Sequence, residues 1–361
     1  MLTAHPSPRR TRWHAARIGL PACALAALAT LPGCSDPENP KNLSGTIYCT
    51  FAGSARYYDL NQGKYVDQMM RMGSSTSQFD SFDVSWDGRK ILLAMDVEGS
   101  FNFDERRLVV RDKADGITYK EVNSHKNPVD VTFEWRNIKS VFGRLSPNEQ
   151  YVAVAAQHFS GLPTSIVSLK DQKLIASWKV DGVSLLQYGR PVWTKDNQVY
   201  FQIKTSLYRA GPADGYQRAE KLLSFEGDTD SVQVNPQGTQ VVFRQANHLW
   251  LANIDGTQLR QITTSKVRNP TYGGERRPTF SPDGKYIALT ADGTAGARWS
   301  DHDYPDKSWV SAAGSEFGYL AIIPANGKLY DLDDKKSGAI WLQQSEKRPT
   351  GIPCQQSLIW R

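Results

Sequence analysis

The sequence predicts an all-β fold: a six-bladed β-propeller of four-stranded antiparallel blades, with the last blade closed by both chain ends. Three observations carry this expectation. One hairpin pattern recurs five times, the recurrences are spaced by about the length of a blade, and the segments left over at the two ends complement each other.

The clearest copy is RRPTFSPDGKYIALTADG, residues 276–293: a short apolar strand, a Ser-Pro-Asp-Gly turn, a strand of alternating polarity, and an Asp-Gly stop. Four more follow the same plan: FDSFDVSWDGRKILLAMDVEG from residue 79, VFGRLSPNEQYVAVAAQHFSG from 141, GRPVWTKDNQVYFQIKTSLYRA from 189, and DSVQVNPQGTQVVFRQANHLWLANIDG from 230. Aligned at the turn, the anchors Asp87, Asn148, Asp196, Gln237 and Asp283 lie 61, 48, 41 and 46 residues apart. A four-stranded blade takes ~40–50 residues, so the first interval carries extra loop. After each turn comes a period-two strand (QYVAVAA, TQVVFRQ, KYIALT), then a strand with an aromatic or aliphatic pattern (SLYRAG, HLWLANI), then a shorter outer one (AEKLLSF, LRQITT). Ala153, Ala155 and Ala288 suit strands where neighbouring sheets crowd. The Asp-Gly and Asn-Pro-Gln-Gly corners supply backbone conformations that ordinary residues resist, and are read as hairpin corners, not ligands.

The turn residues Ser281, Pro282, Asp283, Gly284 and Lys285 resemble the signature of the TolB-type β-propeller repeat. Ser85-Trp86-Asp87-Gly88, Ser146-Pro147-Asn148 and Asn235-Pro236-Gln237-Gly238 are degenerate copies of it. The resemblance covers residues 44–361 and omits the N-terminal α/β domain of TolB. It implies a non-enzymatic scaffold that binds an envelope protein or peptide. The same repeat also serves peptidases and lyases, so a propeller-type lyase or lactonase acting on a sugar or small ester is the alternative reading.

Both ends fit into one further blade. Residues 44–70 read as the second, third and fourth strands of a blade that lacks its first, and CQQSLIWR at the other end reads as a lone first strand, with Trp360 placed as Trp193 is in RPVW. Closure of this kind removes free sheet edges. Cys49 falls in the proposed second strand and Cys354 just ahead of the proposed first, so a disulfide between them is expected to pin the ring shut.

Residues 1–33 read as a signal peptide, with Arg9, Arg10, Arg12 and Arg17 ahead of the apolar stretch IGLPACALAALATLPGC. LPGC resembles the lipobox of bacterial lipoproteins, which makes Cys34 the lipidated first residue of the mature chain. Residues 34–43 then form a tether, and Ser35 points by family analogy to the outer membrane, facing the periplasm. The chain has 43 Lys and Arg against 37 Asp and Glu; without the four leader arginines the balance is 39 to 37. That is no nucleic-acid footprint, and the mature chain is expected to be a monomer on the membrane through its lipid.

Catalytic signatures are sparse. The mature chain has four histidines, His125, His158, His248 and His302, none with metal-ligand spacing, and it has no Gly-x-Ser-x-Gly elbow. Enzymatic activity and a cofactor are therefore not expected. The most unusual segment is the loop at 291–318, between the second and third strands of the fifth copy, which concentrates Trp299, Asp301, His302, Asp303, Tyr304, Asp306 and Trp309. It is read first as a solvated insertion, then as a partner surface; its Asp-His-Asp cluster is the one candidate for a divalent cation. Arg276 and Arg277, leading into the fifth copy near one mouth of the channel, are a second partner-binding candidate, with forked donors for a carboxylate or structural pairs for acids on the next blade. The segment EGSFNFDERRLVVRDK is expected to extend an outer hairpin.

Overall fold

A computed structural model describes residues 43–51, 54–71, 79–96, 105–113, 117–118, 131–136, 141–156, 163–181, 189–267, 273–291, 318–345, 348–355 and 358–361. The contacts divide the chain into Met1–Ser35, which lies outside the described residues together with Cys34, and Asp36–Arg361, which carries the propeller. Among the described residues there is no α-helix, only a single 3-10 turn at Pro212–Asp214, and no helix long and apolar enough to cross a membrane.

Six antiparallel sheets of four strands form the blades. From the channel outward, blade one runs Phe79–Val84, Lys90–Asp96, Glu105–Asp112 and Val131–Arg136. Blade two runs Val141–Leu145, Tyr151–Ala156, Thr164–Ser168 and Leu174–Trp178. Blade three runs Val192–Trp193, Val199–Ile203, Ser206–Ala210 and Glu220–Ser224. Blade four runs Thr229–Val234, Gln240–Gln245, His248–Asn253 and Arg260–Gln261. Blade five runs Glu275–Phe280, Tyr286–Ala291, Gly318–Pro324 and Ile340–Trp341. Blade six takes its inner strand, Leu358–Trp360, from one end of the chain and Thr46–Phe51, Ser54–Asp59 and Lys64–Arg71 from the other. The predicted closure is thus present, with Tyr48 opposite Ile359 and Trp360 opposite Ile47.

Each turn after an inner strand closes itself. In blade five, the Ser281 hydroxyl accepts the Tyr286 amide at 3.0 Å and donates to the Asp283 carboxylate at 2.6 Å, which accepts the Lys285 amide at 3.0 Å. Ser85 with Asp87 and Ser146 with Asn148 repeat this arrangement. The following residue is left-handed: Gly284, Gly238 and Gly88 take φ of +76°, +70° and +74°, where glycine is unstrained. Glu149 and Asn197 hold the same place at +54° and +60°.

The second strands bury both faces, which is why they are rich in Ala, Val, Ile and Leu. Along Tyr286–Ala291, Ile287, Leu289 and Ala291 enter the seam toward blade four, while Ala288 enters the seam toward blade six. Six hydrophobic clusters of this kind fill the six seams. At the seam of blades one and two, a Cβ on Gly143 would lie 2.6 Å from Leu92 Cδ2, so the close approach of the sheets requires glycine there.

One expectation needs correction. Glu105–Asp112 is the third strand of blade one, not an outer hairpin; its Leu108, Val109 and Val110 are buried between flanking arginines and acids. Beyond it, Ile117–Thr118 pairs in parallel with the outer strand of blade six. The expected Cys49–Cys354 bond is present, with its Cα atoms 5.7 Å apart, and Cys354 lies just ahead of the inner strand of blade six, in Pro353–Cys354, which adds to the third strand of blade five. The disulfide therefore fastens blade six to blade five, across a seam, because the chain pairs with Gly318 and Tyr319 before it reaches the inner strand of blade six.

Candidate functional site

The inner strands line the channel in one direction, so one mouth is ringed by their starts and the other by the Ser-x-Asp turns. The turns are stitched to one another around the ring. The Asn148 amide donates to Asn197 Oδ1, the Lys195 amide to the Pro236 carbonyl, and Gln237 Nε2 to the Asp283 carbonyl.

A small cavity of about 60 Å³ opens at the turn mouth. It is built from Trp86 of blade one, Val192 and Trp193 of blade three, Gln233, Val234 and Pro236 of blade four, Thr279, Phe280 and Pro282 of blade five, and Trp360 and Arg361 of blade six. A buried water needs ~10–15 Å³, so the space has room for a few waters. Its walls are aromatic rings and prolines. Trp193 and Trp360 spend their indole N–H groups on the carbonyls of Arg144 and Ser44, each at 2.9 Å. The buried Trp86 Nε1 meets no acceptor among the described residues.

Arg361 decides the electrostatics of this mouth. In the register of the inner strands it occupies the place that Ser85, Ser146, Thr194, Asn235 and Ser281 hold in the other blades. Instead of capping a turn, its side chain reaches to blade one, donating from Nε to the Val84 carbonyl at 2.9 Å and from Nη2 to Asp83 Oδ1 at 3.2 Å. Its guanidinium stacks on the Trp86 ring, 4.6 Å from the centroid. Burial, reinforced by the nearby charge of Arg144, lowers its pKa, against the attraction of Asp83. Asp83 is fully buried and also accepts the Leu145 amide at 2.7 Å. Arg144, itself buried, donates from Nη1 to the carbonyls of Phe82 and Gly143.

The strand-start mouth is polar at blades four and five. Glu275, with no exposed surface, accepts from Thr263 at 2.9 Å and Ser265 at 2.5 Å, and shares a 2.7 Å contact with His248 Nδ1. Arg244 holds Asp230 at 2.7 Å and also reaches Asn247 and the Gly273 carbonyl. Ser231 and Arg277 stand at equivalent places, six residues before the turn anchors Gln237 and Asp283, and both are left-handed, with φ of +56° and +53°. Each falls in a bulge of its inner strand, the device by which a strand re-aims a side chain. Chemically, the saturated Glu275 carboxylate ties blade four to blade five and orients one imidazole. Among the described residues no group of three or more His, Cys, Asp or Glu side chains could hold a metal ion.

Of the candidates read from sequence, Arg276 and Arg277 stand at this strand-start mouth, Arg276 buried and Arg277 half-buried. Trp299, Asp301, His302, Asp303, Tyr304, Asp306 and Trp309 lie outside the described residues. Their flanking residues Ala291 and Gly318 are placed at the same end of blade five, where Ala291 pairs with Glu275. The turn-mouth cavity escaped the sequence reading because its residues come from five separate blades. The signal that could have found it is the column four residues before each turn anchor: Asp83, Arg144, Val192, Gln233 and Thr279 share no chemistry, although seam positions do.

No family model matches the chain, and no curated protein matches it. Solved structures do. A putative TolB from Agrobacterium tumefaciens is 14% identical with a TM-score of 0.45, over 79% of this chain and 86% of that one. TolB from Acinetobacter baumannii is 14% identical with a TM-score of 0.43, over 78% and 66%. A protein of unknown function from Bacteroides caccae is 12% identical with a TM-score of 0.44, over 87% and 100%.

Proposed function

We propose that the chain is a non-enzymatic scaffold of the bacterial envelope, lipidated at Cys34 and facing the periplasm from the outer membrane, whose propeller binds a polypeptide partner. One observation carries the binding reading: five blades converge on a cavity at the turn mouth whose walls include Trp86, Trp193, Trp360, Phe280, Pro236 and Pro282. Aromatic and proline surfaces of this kind grip an extended segment through large contact area at low entropic cost. Gln233, half-buried on the cavity wall, gives access to the site without touching the core.

The test is site-specific photo-crosslinking in intact cells, with the crosslinker at Gln233 and, as a control, at Leu174, which is 58% exposed on the outer strand of blade two. A discrete adduct from Gln233 alone, lost when Thr279→Arg fills the cavity, is the expected result. Equal adducts from both positions, or an adduct that survives Thr279→Arg, would refute the reading. Radiolabelled palmitate incorporation, abolished by Cys34→Ala, checks the anchor separately.

A further inference from the structure

The segment that leads into the propeller is fixed at one mouth. Leu43, nine residues on from Cys34, is buried in the cluster that fills the seam of blades five and six. Ser44 and Gly45 are then held by Trp360 and Arg361. The Ser44 carbonyl accepts the Trp360 indole N–H at 2.9 Å, and a Cβ on Gly45 would lie 2.4 Å from the Arg361 carbonyl oxygen, so glycine is required there at φ +93°. On its other side the Gly45 amide donates to Asn61 Oδ1 at 3.3 Å, and its carbonyl accepts the Leu60 amide at 2.9 Å. Thr46 and Arg361 exchange backbone hydrogen bonds of 2.6 and 3.0 Å. Because Trp360 and Arg361 line the turn-mouth cavity, the chain enters the propeller at the rim of that cavity.

Chain length then decides which mouth meets a membrane that holds Cys34. Nine residues span at most about 30 Å when drawn out, and about 16 Å on average as a flexible chain. The strand-start mouth lies one inner strand farther off, about 20 Å for the six residues of Glu275–Phe280. Presenting that mouth would draw the tether nearly taut, at the cost of most of its conformational freedom. We propose that the turn mouth faces the anchoring membrane, and that the polypeptide it accepts is a segment presented at that membrane's surface, while the strand-start mouth opens to the periplasm. The inference rests on lipidation at Cys34 and on the polypeptide-binding reading above, and adds where the partner comes from. A gap of about 16 Å admits one extended segment, since facing β layers need only ~10 Å. A partner held at the same surface meets the mouth at the effective concentration of a linked pair, so a contact of modest size suffices.

Energy transfer to the membrane surface tests the facing. Leu259→Cys, exposed at the turn-mouth end of blade four, and Thr205→Cys, exposed at the strand-start end of blade three, each carry a fluorescent donor on the lipidated chain, in vesicles with an acceptor on the lipid headgroup. The native cysteines do not compete, because Cys23 leaves with the signal peptide, Cys34 carries the lipid and Cys49 is bonded to Cys354. The donor at Leu259→Cys should lose about twofold more emission than that at Thr205→Cys, as expected for ends about 20 Å apart. Equal loss at both, or more at Thr205→Cys, overturns the facing and leaves the scaffold reading standing. A purified chain without lipid on Cys34, read by mass spectrometry, overturns the anchor and this inference together. The source of the partner is tested in cells with the crosslinker at Gln233. Cys34→Ala behind an ordinary secretory signal should yield at least about tenfold less adduct than the anchored chain. An undiminished adduct would assign the mouth to a freely diffusing partner and overturn the membrane-surface segment.

Discussion

Replacing Cys49 and Cys354 together with alanine should loosen the propeller through its unfolded state. The bond closes a loop of 305 residues, and the chain-entropy relation gives about 19 cal/mol/K for such a loop, or about 5.7 kcal/mol at 25 °C. That figure is a ceiling, since a denatured chain retains some compactness, and the small cavities left by two buried sulfurs add little to it. For a domain of roughly 320 residues, with an unfolding entropy of about 2.1 cal/mol/K per residue, it corresponds to a fall in Tm of about 8 °C. Equilibrium unfolding in urea, followed by tryptophan fluorescence, measures both parts of the argument. The midpoint should fall and the denaturant slope should rise, because the opened chain exposes more surface when unfolded. A variant within about 1 kcal/mol of the native chain at an unchanged slope would refute the reasoning, and would assign ring closure to the pairing of Leu358–Trp360 with Thr46–Phe51 alone.

Three further outcomes follow from the seams and turns. Gly143→Ala should destabilise by about 1–3 kcal/mol, since its Cβ would meet Leu92 at 2.6 Å in a filled seam, and thermal unfolding against Gly143→Ala/Leu92→Ala should show partial rescue. Glu275→Leu should cost about 3–5 kcal/mol in urea, because it strips the shared partner from Thr263, Ser265 and His248 inside the seam of blades four and five. Burial alone would raise the Asp283 carboxyl, but the Ser281 hydroxyl, the Lys285 amide and the Lys285 charge outweigh it and hold the group below the usual carboxylate range. A carboxyl depressed in the folded state stabilises above its unfolded pKa, near 3.9, and loses that contribution as the pH falls through the folded value. The Tm of Asp283→Asn should therefore fall less than that of the native chain between about pH 5 and pH 3, with equal slopes refuting the linkage.

The architecture was legible because its punctuation is local. A Ser-x-Asp turn followed by glycine closes through hydrogen bonds within six consecutive residues, so it can be read wherever it occurs, even where Glu149 or Asn197 replaces the glycine. The split blade was legible for a related reason: Trp360 lies in the inner strand of blade six as Trp193 lies in that of blade three, and both indoles reach a backbone carbonyl. Glu105–Asp112 misled because its apolar run, Leu108, Val109 and Val110, is short, and the arginines beside it in the sequence resemble a solvated loop. The partner strand of Cys354 was not legible at all, since attachment to the Gly318 edge depends on what the far side of blade five leaves uncovered.

The turn mouth was hidden by the same repetition that revealed the fold. Repeats are found by what the copies share, and the shared positions are those that close turns and fill seams. The mouth is made where copies differ: Asp83 in one, Arg144 in the next, Gln233 and Thr279 farther round, and Arg361 in place of a turn-capping Ser, Thr or Asn. A charge buried among the blades must be paired or hydrogen-bonded, as Glu275 is by Thr263, Ser265 and His248. Asp83 answers Arg361 in this way, and backbone carbonyls answer Arg144.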